Sequence, residues 1–128
     1  MEMALRHAQR GRMDLAEEIY RQLLNHAPNH AEAWNNLGIV LRETGRLNDA
    51  VDAFSRSIAL QPERGETLSN LGNALREAGR LDEALVCHTR AIALQPESAS
   101  AFNNLGNTYK SRGEFAQGAV GILALEGL

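Results

Sequence analysis

Residues able to do chemistry are few, and their spacing works against them. His26 and His30 are four apart, a separation that suits two metal ligands on one helix face. Pro28 falls between them at an expected helix boundary, so one face does not present both, and two surface histidines at a turn are expected instead. Cys87 and His88 are sequence neighbours, point to different sides of a helix and disfavour a thiolate–imidazole pair. Glu17 with Glu18, and Asp82 with Glu83, are adjacent carboxylates expected just inside helix starts, where they complement the helix dipole. The glycines fall singly, so none builds a phosphate-cradling loop. With no nucleophile, base and oxyanion donor in a plausible group, the chain reads as non-enzymatic, with no cofactor and no metal site.

One polar residue type is left over, and it recurs. The stretch from Ala33 to Gly38, AWNNLG, returns as TLSNLG from Thr67 and as AFNNLG from Ala101, each 34 residues after the last. Pro28, Pro62 and Pro96 keep the same period, as do Gly11, Gly45, Gly79 and Gly113, and Ala16, Ala50 and Ala84. A shared period in independent columns marks a repeat architecture.

Each repeat reads as two short helices. Trp34, Leu37 and Leu41 share one face at helical spacing, and Gly45 follows where the helix must stop. Leu47, Ala50, Phe54, Ile58 and Leu60 mark a second helix that ends before Pro62. The short connection makes the two antiparallel neighbours, and small Gly38 and Ala50 allow their backbones to approach.

These columns, Trp34-x2-Leu37-Gly38-x2-Leu41 with Ala50-x3-Phe54 and Pro62, resemble the tetratricopeptide repeat, or TPR. Leu68, Leu71, Gly72, Leu75, Ala84, His88, Ala91 and Pro96 supply the next repeat, and Phe102, Leu105, Gly106, Tyr109 and Gly113 the last. Ala4, His7, Gly11, Ala16, Tyr20 and Pro28 fit a shortened first repeat. The resemblance implies an all-α fold: a right-handed α-solenoid of antiparallel helix pairs, about four hairpins with the first and last incomplete or degenerate. The whole chain, 1–128, is then one domain, with repeats near 1–30, 31–64, 65–98 and 99–128.

Two departures stand out. His88 occupies the column of Phe54 and Tyr20, placing an imidazole in an aromatic slot. The segment FAQGAVGILALEGL has Gly118 in the alanine column and Gly121 in mid-helix, each costing about 1 kcal/mol in a helix, and lacks the polar face of its counterparts. Val120, Ile122, Leu123 and Leu125 are therefore candidates for self-association, and a second copy of the chain is the alternative partner.

In the TPR resemblance, first helices of successive repeats line a concave groove. Their non-core columns hold Asn36, Asn70 and Asn104, preceded by Asn35, Ser69 and Asn103. One turn on come Ile39, Asn73 and Asn107, and then Arg42, Arg76 and Lys110 beside Glu43, Glu77 and Ser111. Asparagine is a poor helix former, so propensity does not explain the column. A carboxamide donates and accepts, and a ladder of them holds an extended backbone while reading little of its side chains. Bonding across neighbouring helices is the competing explanation. The ladder is similar to that of O-linked N-acetylglucosamine transferases and bacterial TPR proteins, which implies a protein or peptide partner, bound in the concave groove as an extended peptide or a helix. TPRs that grip chaperone tails carry lysines where this chain has Asn35, Ser69 and Asn103, so that partner is disfavoured. The TPR arm of a larger protein, such as a glycosyltransferase, is a further alternative.

Composition bounds the partners. A net charge of −3 offers no basic face for nucleic acid. A single cysteine suits a reducing compartment, no signal sequence is evident, and no run is apolar enough to insert in a membrane. A cytoplasmic location is the expectation.

Overall fold

The computed structural model describes the backbone of residues 2–119 and the side chains of residues 10–113. Its elements are α1 (Glu2–His26), α2 (Ala31–Glu43), α3 (Leu47–Leu60), α4 (Gly65–Glu77), α5 (Leu81–Leu94) and α6 (Ala99–Ala119). Among the described residues every element is helical.

Two complete hairpins, α2–α3 and α4–α5, form the centre. Each turns at a glycine with positive φ, 81° at Gly45 and 80° at Gly79. At the first turn Gly45 N–H donates to the Arg42 carbonyl and Arg46 N–H to that of Leu41. Gly79 and Arg80 repeat the pattern with Arg76 and Leu75. These paired bonds satisfy carbonyls that a helix end leaves free, and the left-handed backbone they require disfavours a side chain.

Packing within each hairpin depends on the small-residue columns. A Cβ placed on Gly38 would lie 2.6 Å from Cδ1 of Phe54, and one on Gly72 would lie 2.5 Å from Cε1 of His88. Ala50 and Ala84, on the opposing helices, are fully buried. Leu37, Leu41, Phe54, Leu71 and Leu75 fill the interior, joined by Leu24 from α1. Each such side chain contributes about 1.5–3 kcal/mol by leaving water.

The outer repeats depart from the expected hairpins. α1 runs unbroken through Gly11, and α6 runs unbroken through Gly113. A glycine turn gives up helical hydrogen bonds, and contact between the two limbs must offset the loss. In the last repeat, a Cβ on Gly106 would meet nothing within 4 Å among the described residues. Continuity of α1 also corrects the placement of Glu17. It lies mid-helix, not at a helix start, and its carboxylate binds Arg21 at 2.8 Å and Arg46 at the N-cap of α3. Asp82 and Glu83 do lie in the first turn of α5.

Helix contacts define the curvature. α2 touches α4, and α4 touches α6, whereas α3 and α5 do not meet. First helices therefore form the inner layer and second helices the outer one.

Candidate functional site

The inner face is built by α2, α4 and α6, which present equivalent columns at each step. Contacts across that face run between residues 35 apart, one more than the sequence period. Asn70 Nδ2 donates to Asn35 Oδ1 at 3.1 Å. Arg42 donates from Nε and Nη2 to the Glu77 carboxylate, at 3.1 and 2.6 Å. Together these bonds clasp α2 to α4. Asn35 is consequently 2% exposed and lies within the helix contact. The Glu77 bond also raises the already high affinity of Arg42 for its proton.

One step further on, the same spacing meets different residues. Ser69 takes the column of Asn35, and the residue 35 beyond Arg76 is Ser111 in place of a glutamate. The Ser111 hydroxyl donates instead to the Asn107 carbonyl at 3.0 Å, and that of Thr108 to the Asn104 carbonyl at 3.0 Å. Arg76 Nε and Asn73 Oδ1 are buried and have no hydrogen-bond partner. Asn36, Asn70, Asn104 and Asn107 are half-buried, and Asn103 and Lys110 are exposed. Val120, Ile122, Leu123 and Leu125 lie outside the described residues.

The reactive side chains stand apart from this face. Cys87 is buried, and burial pushes its thiol above the ordinary range. His88 is fully buried against Gly72, and neither ring nitrogen has a partner. Burial, then the charge of Arg76, lowers its proton affinity. His30 caps α2 through Nδ1, which accepts from Ala33 N–H at 3.1 Å. Ser98 Oγ does the same for Ala101 N–H at 3.2 Å, one residue type substituting for another in a capping column. Sequence reading passed over this capping role because histidine is not among the usual caps. The described residues contain no group of three or more His, Cys, Asp or Glu placed to hold a metal ion. A cleft of about 290 Å³ lies between α1, α2 and α3, walled by Arg21, Asp49, Asp52 and Arg56 with Trp34 inside. Trp34 is fixed there by its Nε1 bond to the Pro28 carbonyl at 2.8 Å and by the Arg56 guanidinium 4.9 Å above its ring.

A curved stack of helical hairpins with a polar inner face is the architecture of a repeat-type interaction module. The family comparison makes this specific. The Tetratricopeptide repeat family model matches residues 1–65, and a second, TPR repeat, matches residues 72–113. The chain belongs to the tetratricopeptide repeat family.

Solved structures agree on the fold. The crystal structure of MamA is 30% identical, with TM-score 0.77 over 89% of this chain and 67% of that one. The first TPR of Spaghetti (RPAP3), bound to the HSP90 peptide SRMEEVD, is 20% identical, with TM-score 0.77 over 88% and 89% of the two chains. An O-GlcNAc transferase mutant of Thermobaculum terrenum is 29% identical, with TM-score 0.73. The match covers 80% of this chain but only 20% of the transferase. Curated protein sequences give no significant match. Among the described residues no helix is long and apolar enough to cross a membrane.

Proposed function

We propose that the chain is a non-enzymatic interaction module whose inner groove binds an extended peptide through the Asn36, Asn70 and Asn104 column. The observation that carries this reading is the state of that column. Its three carboxamides are half-buried along successive inner helices, and among the described residues the one side-chain bond they make is that of Asn70 to Asn35. Asn36 and Asn104 retain both donors and an acceptor for a passing peptide group. A helix satisfies its own backbone and gains less from such a column, so an extended strand is the favoured occupant.

Replacement of Asn36, Asn70 and Asn104 together by alanine tests the reading. A partner captured by the wild-type chain should bind the triple variant at least about tenfold more weakly, as lost hydrogen bonds to a desolvated backbone require. Unchanged affinity refutes the role of the column.

A second reading, self-association, has its own observation. Leu15, Ile19 and Leu23 form one stripe on α1, with exposures of 57%, 53% and 38%, and Phe102 and Tyr109 on α6 are 52% and 55% exposed. Sedimentation over a concentration series tests it, and a strict monomer throughout removes it. The partial match to the transferase supports a third, that such a module serves as one arm of a larger protein.

A further inference from the structure

The two steps of the inner groove differ in electrostatic completion, and we infer that the second, between α4 and α6, is an anchor for a carboxylate of an acidic extended peptide, held by Arg76. The inference rests on the groove reading above and assigns the chemistry of its occupant.

At the first step the groove closes on itself. Arg42 is bonded twice to Glu77, and Asn35 is bonded to Asn70. Both pairs obey the 35-residue register. Applied one repeat later, that register brings Arg76 to Ser111 and Ser69 to Asn104. Ser111 cannot do what Glu77 does. A hydroxyl does not neutralise a guanidinium, and Ser111 Oγ is already engaged with its own helix at 3.0 Å.

Arg76 is consequently a half-buried cation without a counter-ion among the described residues, and its Nε is wholly shielded from water without a partner. A buried donor left unpaired on a charged group is costly, and the cost is relieved when an anion arrives. The planar guanidinium matches a carboxylate through two parallel bonds, the geometry Arg42 already adopts with Glu77, Nε to Oε2 and Nη2 to Oε1. One turn before Arg76, the Asn73 Oδ1 acceptor is also buried and unpaired. An extended peptide that places a carboxylate at Arg76 brings a backbone N–H within the same stretch, and Asn73 Oδ1 is the acceptor for it. An arginine and an acceptor three residues apart share one helix face. They thus define a site that reads one acidic group and one peptide bond. Asn104 and Asn107 on α6 are half-buried.

The test uses the full chain and a positional-scanning library of short, fluorescently labelled, C-amidated peptides, from which the tightest binders are remade with each Glu changed to Gln. A free C-terminal carboxylate on the Gln series separates a chain-end anchor from a side-chain anchor. The wild type should prefer Glu to Gln at one position by about tenfold or more. Arg76→Gln should bring the two within about twofold. Ser111→Glu supplies the missing acid, should pair Arg76 as Glu77 pairs Arg42, and should also abolish the preference. This second variant keeps every core side chain, so a folding failure of Arg76→Gln does not decide the matter. In the triple asparagine variant both peptides should weaken while their ratio persists. Peptides that bind the wild type with equal affinity as Glu or Gln, unaffected by Ser111→Glu, overturn the anchor and leave the groove standing. A preference for the free chain end overturns the side-chain form of the anchor. A library with no bound member overturns both the anchor and the groove.

Discussion

His88 should be the least favourable residue in its own seat, and replacing it by phenylalanine should stabilise the protein. The seat is the aromatic slot that Phe54 fills one repeat earlier. Both rings are fully buried, and both lie against a glycine at nearly the same closeness, 2.6 Å and 2.5 Å from a built Cβ. A phenyl ring therefore fits the slot without the overpacking that a foreign shape brings. What the imidazole adds is a donor and an acceptor with no partner. Leaving one such group unsatisfied costs about 1–3 kcal/mol. His88→Phe should then gain about 2 kcal/mol, a rise in melting temperature of about 5–10 °C for a chain of this size. The effect should depend on pH with a defined sign. Burial and the Arg76 charge depress the folded-state affinity of His88 for a proton below its ordinary value. The unfolded chain takes that proton first, so wild-type stability is full above about pH 6.5 and falls as the pH drops below it. Phenylalanine has no such loss, and the advantage of the variant should widen by up to about 1.4 kcal/mol per pH unit in that range. Urea unfolding followed by far-UV circular dichroism, at about pH 8 and about pH 5, measures both quantities. A variant no more stable than wild type at the higher pH, or an advantage that does not grow at the lower one, would refute the account of His88 as an unsatisfied buried imidazole.

Three glycines in one sequence column should behave differently. Gly38→Ala and Gly72→Ala thrust a methyl into Phe54 and His88 and should each cost about 1–3 kcal/mol, while Gly106→Ala, with open space, should gain up to about 1 kcal/mol. Urea midpoints of the three variants check this, and equal losses would contradict the open face of α6. Glu17 is held at a pKa of about 2, first by its bonds to Arg46 and then by those to Arg21. Its contribution is full above the ordinary carboxylate range and is lost as the pH falls towards about 2. Glu17→Gln should thus destabilise by about 1 kcal/mol near neutrality, a modest value because both arginines are well exposed to screening solvent. The gap from wild type should close on acidification, and a gap of constant size would show that the ion pairs do not cause it.

Much of the fold was legible before any coordinates. A 34-residue period places its glycines, alanines and prolines by local chemistry: a left-handed turn at Gly45 and Gly79, a close approach at Gly38 and Gly72, a helix stop before Pro62. Each is decided by one residue and its near neighbours, so sequence alone determined helix type, pairing within the central hairpins and the family. The same columns misled at the ends. Gly11 and Gly113 have the residue type of a turn but lie inside α1 and α6, because a turn persists only where two limbs pack against each other. Whether a glycine bends the chain is then a property of its neighbours in space.

The inner face divides in the same way. Sequence determined that asparagines and arginines would stand on first helices at equal spacing. Only the tertiary structure decided which of them are already taken. The rotation between stacked repeats shifts contacts from the 34 of the sequence to 35, so Arg42 bonds Glu77 of α4 and not the adjacent Glu43. That single offset makes Asn35 and Asn70 partners, while Arg76 Nε stays buried without a partner. A charge column that looks uniform along the chain becomes, once stacked, one closed step and one open step. The physical reason is that pairing is set by the angle between helices, which no residue encodes by itself.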